Sequence, residues 1–137
     1  MKAFFDEFST YLASEGVEIP GKLEKSSGVF ADILGWGEKW KMPEEIIEKA
    51  KFPGIKIQTD TRWIVLDRIK GEIRFYAEYY HNAKRCDKGK IWYRDTIDTE
   101  MGIVLSISDA VLFTIQFFRE KSFKDIAVKR IPPSWKR

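Results

Sequence analysis

Apolar residues recur at helical spacing at both ends of this chain and at alternate positions through its middle. In Lys2 to Glu15, Phe4, Phe5, Phe8, Tyr11 and Leu12 fall on one stripe, and Gly16 stands where a left-handed residue ends a helix. From Val17 to Trp40 the pattern is weaker. Ser26 or Ser27 can cap a short helix carrying Val29, Phe30, Ile33 and Leu34, with Gly35 and Gly37 closing it. Pro43 suits a first helical turn, with Glu44 and Glu45 at the positive end of the dipole and Lys49 and Lys51 at the other. Pro53 and Gly54 close this third helix.

After Gly54 the period becomes two. Ile55 to Thr59, Arg62 to Lys70, Glu72 to Tyr80 and Lys90 to Ile97 are rich in β-branched and aromatic residues and are separated by short turns, which predicts an antiparallel meander. Asn82 to Gly89 reads as a long basic hairpin loop, and Ile103 to Ile107 as a possible fifth strand. Ser108 or Asp109 caps a final helix from Ala110 to Lys121 that is apolar over more than half its circumference, so it is deeply packed or forms an interface. Ser122 and Asp125 repeat the capping spacing before Ile126 to Ile131, and Pro132-Pro133 ends the element. The expectation is one α+β domain over residues 1–137: a helical part at 1–53, a four- or five-stranded antiparallel sheet at 54–107, a C-terminal helix at 108–131 and a tail at 132–137.

A length of 137 residues is enough to bury a core without metals or disulfides. The single cysteine, Cys86, permits no internal bridge, the start lacks the apolar stretch of a secretory signal, and no run approaches a membrane span; these features point to the cytoplasm. Scarce Asn and Gln beside abundant Lys, Glu and Ile suggest a thermophilic source. A net charge of +3 permits an anionic partner, and an aromatic content of 15% is high for so small a body.

Alternation then sorts the strand residues by face. Ile73, Phe75, Ala77 and Tyr79 are the core side of their strand. If the opposite side stays open, Arg62, Arg68, Arg74, Tyr76, Tyr80, Lys90, Trp92 and Arg94 lie together. Rings and cations side by side suit unpaired nucleic acid, because exposed bases stack on Tyr76, Tyr80 and Trp92 while the cations neutralise phosphates; Lys84, Arg85 and Lys88 would extend the phosphate track. The same residues can equally be ordinary cross-strand pairs on a solvated or helix-covered face.

In layout, and across Arg62 to Arg94, the chain resembles the small single-stranded-DNA-binding proteins of hyperthermophilic archaea known as ThermoDBP and its relatives. That resemblance implies sequence-tolerant binding of single strands through an aromatic and basic cleft. It also implies a homo-oligomer assembled through Val111, Leu112, Ile115, Phe118 and Ile126.

Two other classes stay open. An adaptor protein would use the apolar C-terminal helix. A small nuclease would place two of Asp67, Glu72, Asp95, Asp98 and Glu100 on a magnesium ion, or use His81 with Tyr80, Arg85 and Lys88 for metal-free cleavage of RNA. Neither a catalytic residue nor a cofactor is assigned, and His81 and Cys86 make an uncommon donor set for a structural metal.

Overall fold

The computed structural model describes residues 3–27, 53–69, 71–85 and 91–132. Among these, two α-helices accompany a five-stranded antiparallel sheet, an α+β fold. The elements are α1 (Phe4–Ser14), β1 (Lys22–Ser27), β2 (Pro53–Gln58), β3 (Arg62–Ile69), β4 (Glu72–Arg85), β5 (Ile91–Val104) and α2 (Ile107–Arg119), followed by one 3₁₀ turn (Phe123–Asp125). Strand order in the sheet equals chain order, so the sheet is a meander.

The chain chemistry accounts for the turns. Gly16 (φ 68°) ends α1 and Gly71 (φ 81°) joins β3 to β4, both in backbone that a side chain would strain. Ser106, not Ser108 or Asp109, caps α2: its hydroxyl accepts from the Asp109 backbone N–H at 3.1 Å. The helix stops at Arg119, and the Ser122 and Asp125 side chains bond each other at 3.0 Å around the 3₁₀ turn instead of restarting it. From Ile126 the chain is irregular, with a bend at Val128, and Ile131 bridges Ile103 of β5.

One core fills the space between α1, α2 and the sheet. Phe4 and Phe8 of α1 and Val111, Phe113, Ile115, Phe117 and Phe118 of α2 meet Ile55, Ile57, Ile64, Leu66, Ile73, Phe75, Ala77 and Tyr79 from the strands. Phe75 and Phe113 lie with ring centroids 4.4 Å apart, and Tyr79 lies against both Phe117 and Phe123. Burial of these large rings is the main favourable contribution to folding.

Several sequence expectations change. Lys22–Ser27 forms the edge strand β1, with Leu23 against the core, where a loop leading to a helix was expected. A lone apolar residue in a lysine-rich stretch carries almost no strand signal. The remainder of that second helix, and the third helix at Pro43 to Lys51, lie outside the described residues. Asn82 to Arg85 continue β4 instead of entering a loop, and the two expected strands around Lys90 to Ile97 and Ile103 to Ile107 are one strand, β5.

Candidate nucleic-acid interface

Cross-strand register decides which side chains share a face. Arg62 pairs with Tyr79, Ile64 with Ala77, Leu66 with Phe75 and Arg68 with Ile73. Even-numbered β3 residues therefore stand with odd-numbered β4 residues, on the side covered by the helices. Arg62 and Arg68 are thus on the opposite face from Arg74, Tyr76 and Tyr80, and the expected continuous surface does not form.

Arg62 and Arg68 have structural roles. The Arg62 guanidinium lies over the Tyr79 ring at 4.8 Å and donates to the Phe117 carbonyl near the end of α2, which the Tyr79 hydroxyl also donates to at 3.1 Å. Two donors, one of them cationic, thereby satisfy a carbonyl in the last turn of the helix, where the dipole favours positive charge. Arg68 reaches the Glu7 carboxylate at 2.5 Å and lies over the Phe4 ring at 5.3 Å, pinning α1 to the sheet.

The other face is also closed to water over its centre. Trp63, Val65, Asp67, Arg74, Tyr76, Glu78 and Ile103 are all buried. Arg74 makes a bidentate pair with Asp67, Nε to Oδ1 at 2.8 Å and Nη2 to Oδ2 at 2.5 Å. Burial pushes the Asp67 carboxyl above its ordinary range, against the opposing pull of Arg74. Tyr76 is 2% exposed and meets Trp63 edge-on at 5.8 Å. Burial also raises its hydroxyl far above the usual phenol value, helped by the neighbouring Glu78 carboxylate. Arg74 and Tyr76 are therefore interior residues and cannot meet a strand of nucleic acid at the surface.

The expected oligomer interface is corrected for the same reason. Val111, Ile115, Phe118 and Ile126 are buried within their own chain, and Leu112 packs half-buried against the same core. The apolar circumference of α2 is spent on α1, the sheet and the segment after the helix. That segment is fastened by Arg130, which grips Glu100 with Nε and Nη2, both at 2.7 Å, and donates to the carbonyls of Phe123, Ile126 and Val128. Asp67, offered as a metal ligand, is committed to Arg74, and Glu100 to Arg130. Among the described residues no three of His, Cys, Asp and Glu gather.

What remains of the predicted site lies further along β4 and β5. β3 pairs with β4 only as far as the row Arg62, Tyr79, Asp98, after which the Tyr80 N–H reaches the Thr61 carbonyl at 2.7 Å. Beyond this row, among the described residues, β4 and β5 pair only with each other, as Tyr80 with Thr96, His81 with Asp95, Lys84 with Tyr93 and Arg85 with Ile91. Six residues of β4 extend this two-stranded ribbon by roughly 20 Å at about 3.3 Å per residue. Its register shifts three times, leaving Ile97, Arg94 and Trp92 in β5, and Asn82 and Ala83 in β4, without a paired Cα. Such bulges break strict alternation and tighten the twist, which is why parity could not assign faces to Trp92 and Arg94.

Tyr80, half-buried, stands at the root of the ribbon. Lys84, Arg85, Trp92 and Arg94 are in its paired strands, though their side chains lie outside the described ones, as does that of His81. Lys88 and Lys90, with Cys86, lie outside the described residues. Residues 80–96 hold five Lys and Arg against Asp87 and Asp95, a net charge of +3 that equals that of the whole chain. The rest of the molecule is electrically balanced. No described helix is long and apolar enough to cross a membrane. No family model, characterised protein or solved structure matches this chain.

Proposed function

We propose that this protein binds single-stranded DNA or RNA with low sequence specificity, and that the β4–β5 ribbon makes the contact. The observation that carries the reading is the coincidence of shape and charge: the paired strands that run beyond β3, taken with residues 86–90 that join them in sequence, hold the entire excess of positive charge. A narrow cationic ribbon can follow a phosphate backbone. Tyr80, Trp92 and Tyr93 in the same stretch supply rings on which unpaired bases stack for roughly 1 to 3 kcal/mol each. Clustered bulges fit this role, because they turn side chains away from the regular pleat. The resemblance in layout to the ThermoDBP group enters this proposal only in its mode of binding; the buried face of α2 argues against assembly through that helix.

The test is a titration of a labelled single strand, its duplex and an RNA of equal length, each at 50 and 200 mM salt. If all five cations engage phosphates, affinity for a single strand falls with a log–log slope of about −0.7 per contact. That amounts to roughly a hundredfold loss between the two salt concentrations. Lys84→Ala with Arg85→Ala should flatten the slope by about 1.4. Equal binding of duplex and single strand, or binding indifferent to salt, would overturn the proposal.

A further inference from the structure

The row at which β3 ends joins the ribbon to the body of the molecule. Tyr79 is the last β4 residue paired to β3, and its ring is enclosed by Phe117 of α2 at 4.8 Å, Phe123 at 4.7 Å and the Arg62 guanidinium at 4.8 Å. Its hydroxyl and Arg62 converge on one acceptor, the Phe117 carbonyl. Immediately beyond, β5 carries the Ile97 bulge and, among the described residues, β4 and β5 pair only with each other. A two-stranded ribbon has little rigidity of its own in water. Its direction must be fixed where it leaves the three-stranded region.

Resting on the functional reading above, we propose that Tyr79 and Arg62 are positioning residues for nucleic-acid binding: they hold the root of the β4–β5 ribbon against the end of α2 without touching the bound strand. Tyr79 is buried at 3% exposure, and Arg62 is half-buried with its guanidinium committed to the Tyr79 ring and the Phe117 carbonyl. Their effect on affinity passes through the orientation of a ribbon whose own cations make the contacts.

This separates three roles by two readings of one titration. A phosphate contact, when removed, lowers affinity and also flattens the salt dependence by about 0.7 per contact. A positioning residue lowers affinity and leaves the slope intact. A purely structural residue changes neither once the protein is folded.

The variants are Tyr79→Phe, which keeps the ring and removes one donor to Phe117, and Arg62→Met, which removes the cation and keeps an apolar chain. Each is titrated with labelled single-stranded oligonucleotide after its folded fraction is matched to the unaltered protein. Amide hydrogen exchange is followed over 80–85 and 91–97 in the same samples. The expected result is a loss of affinity of roughly 2- to 30-fold at unchanged slope, the range for residues that act on a ligand they do not touch. Faster exchange confined to the ribbon should accompany it. Unchanged affinity overturns the inference, and so does a flattened slope, which would make Arg62 a direct contact. If Arg62→Met does not fold, Tyr79→Phe carries the test alone. Failure of the unaltered protein to bind any oligonucleotide overturns the functional reading itself, whereas normal binding with indifferent variants overturns only the positioning role.

Discussion

Arg74→Met tests the most consequential structural finding, that the second sheet face is interior. Arg74 and Asp67 are 3% and 0% exposed, and both oxygens of the carboxylate are held by the guanidinium. Removing one member of such a pair strands a buried charge and costs about 3 to 5 kcal/mol, a large part of the stability of a domain this size. At roughly 3 °C per kcal/mol, the melting temperature should fall by roughly 10 to 15 °C. The loss should also depend on pH. Burial already raises the Asp67 carboxyl, and losing Arg74 removes the two effects that lower it. With the folded pKa above the unfolded one, the folded state holds more protons between the two, so stability falls as pH rises through that interval. The variant should therefore recover part of its deficit on acidification, as Asp67 takes up a proton at a pH above that of an ordinary carboxyl. Replacing both residues, as Asp67→Leu with Arg74→Met, should restore most of the loss, because an apolar pair of similar volume leaves no charge behind. Urea denaturation at several pH values measures all of this, and the salt dependence of oligonucleotide binding by the folded variant should match the unaltered chain. A cost below about 1 kcal/mol together with a flattened salt slope would refute the reasoning, since it would place Arg74 at the surface on a phosphate.

Two further outcomes follow from the same geometry. Arg130→Met should cost about 2 to 3 kcal/mol in chemical denaturation, through loss of charged hydrogen bonds to Glu100 and three carbonyls, and should speed amide exchange at Ile103 and Ile131, whose N–H groups bond each other's carbonyls at 2.9 and 3.0 Å. In an alkaline titration followed by phenolate absorbance, Tyr79, which burial pushes up to about 12, and Tyr76 should ionise after the other tyrosines. Because both folded values lie above the unfolded one near 10, stability should decline as pH rises from 10, with late ionisation coinciding with unfolding; early ionisation of all five tyrosines in a folded protein would contradict their burial.

The elements with strong internal periodicity were legible before any coordinates: the Phe4, Phe8, Tyr11 stripe of α1, the alternation of β3 and β4, and the apolar α2. β1 was not, because an edge strand needs only one apolar residue, Leu23, to hold it to the core. The continuity of β5 was hidden by Asp98 and Glu100, which read as a polar break although the backbone runs through them.

The misplacement of the binding surface has a sharper cause. Alternation assigns residues to faces within one strand, but which face of the next strand they join depends on register, and a shift of one residue exchanges the two sets. Grouping Arg62 and Arg68 with Arg74 and Tyr76 assumed even beside even. The tight turn at Gly71 instead sets Ile69 against Glu72, hence Arg62 against Tyr79. The composition of β3 held the clue, since Ile64 and Leu66 are even and apolar and must share the core with Phe75 and Ala77. Once that constraint is imposed, cations on both faces become internal ties, as Arg62, Arg68 and Arg74 are. Excess positive charge then has to be sought where the sheet no longer has two faces to cover, which is the ribbon beyond Tyr79.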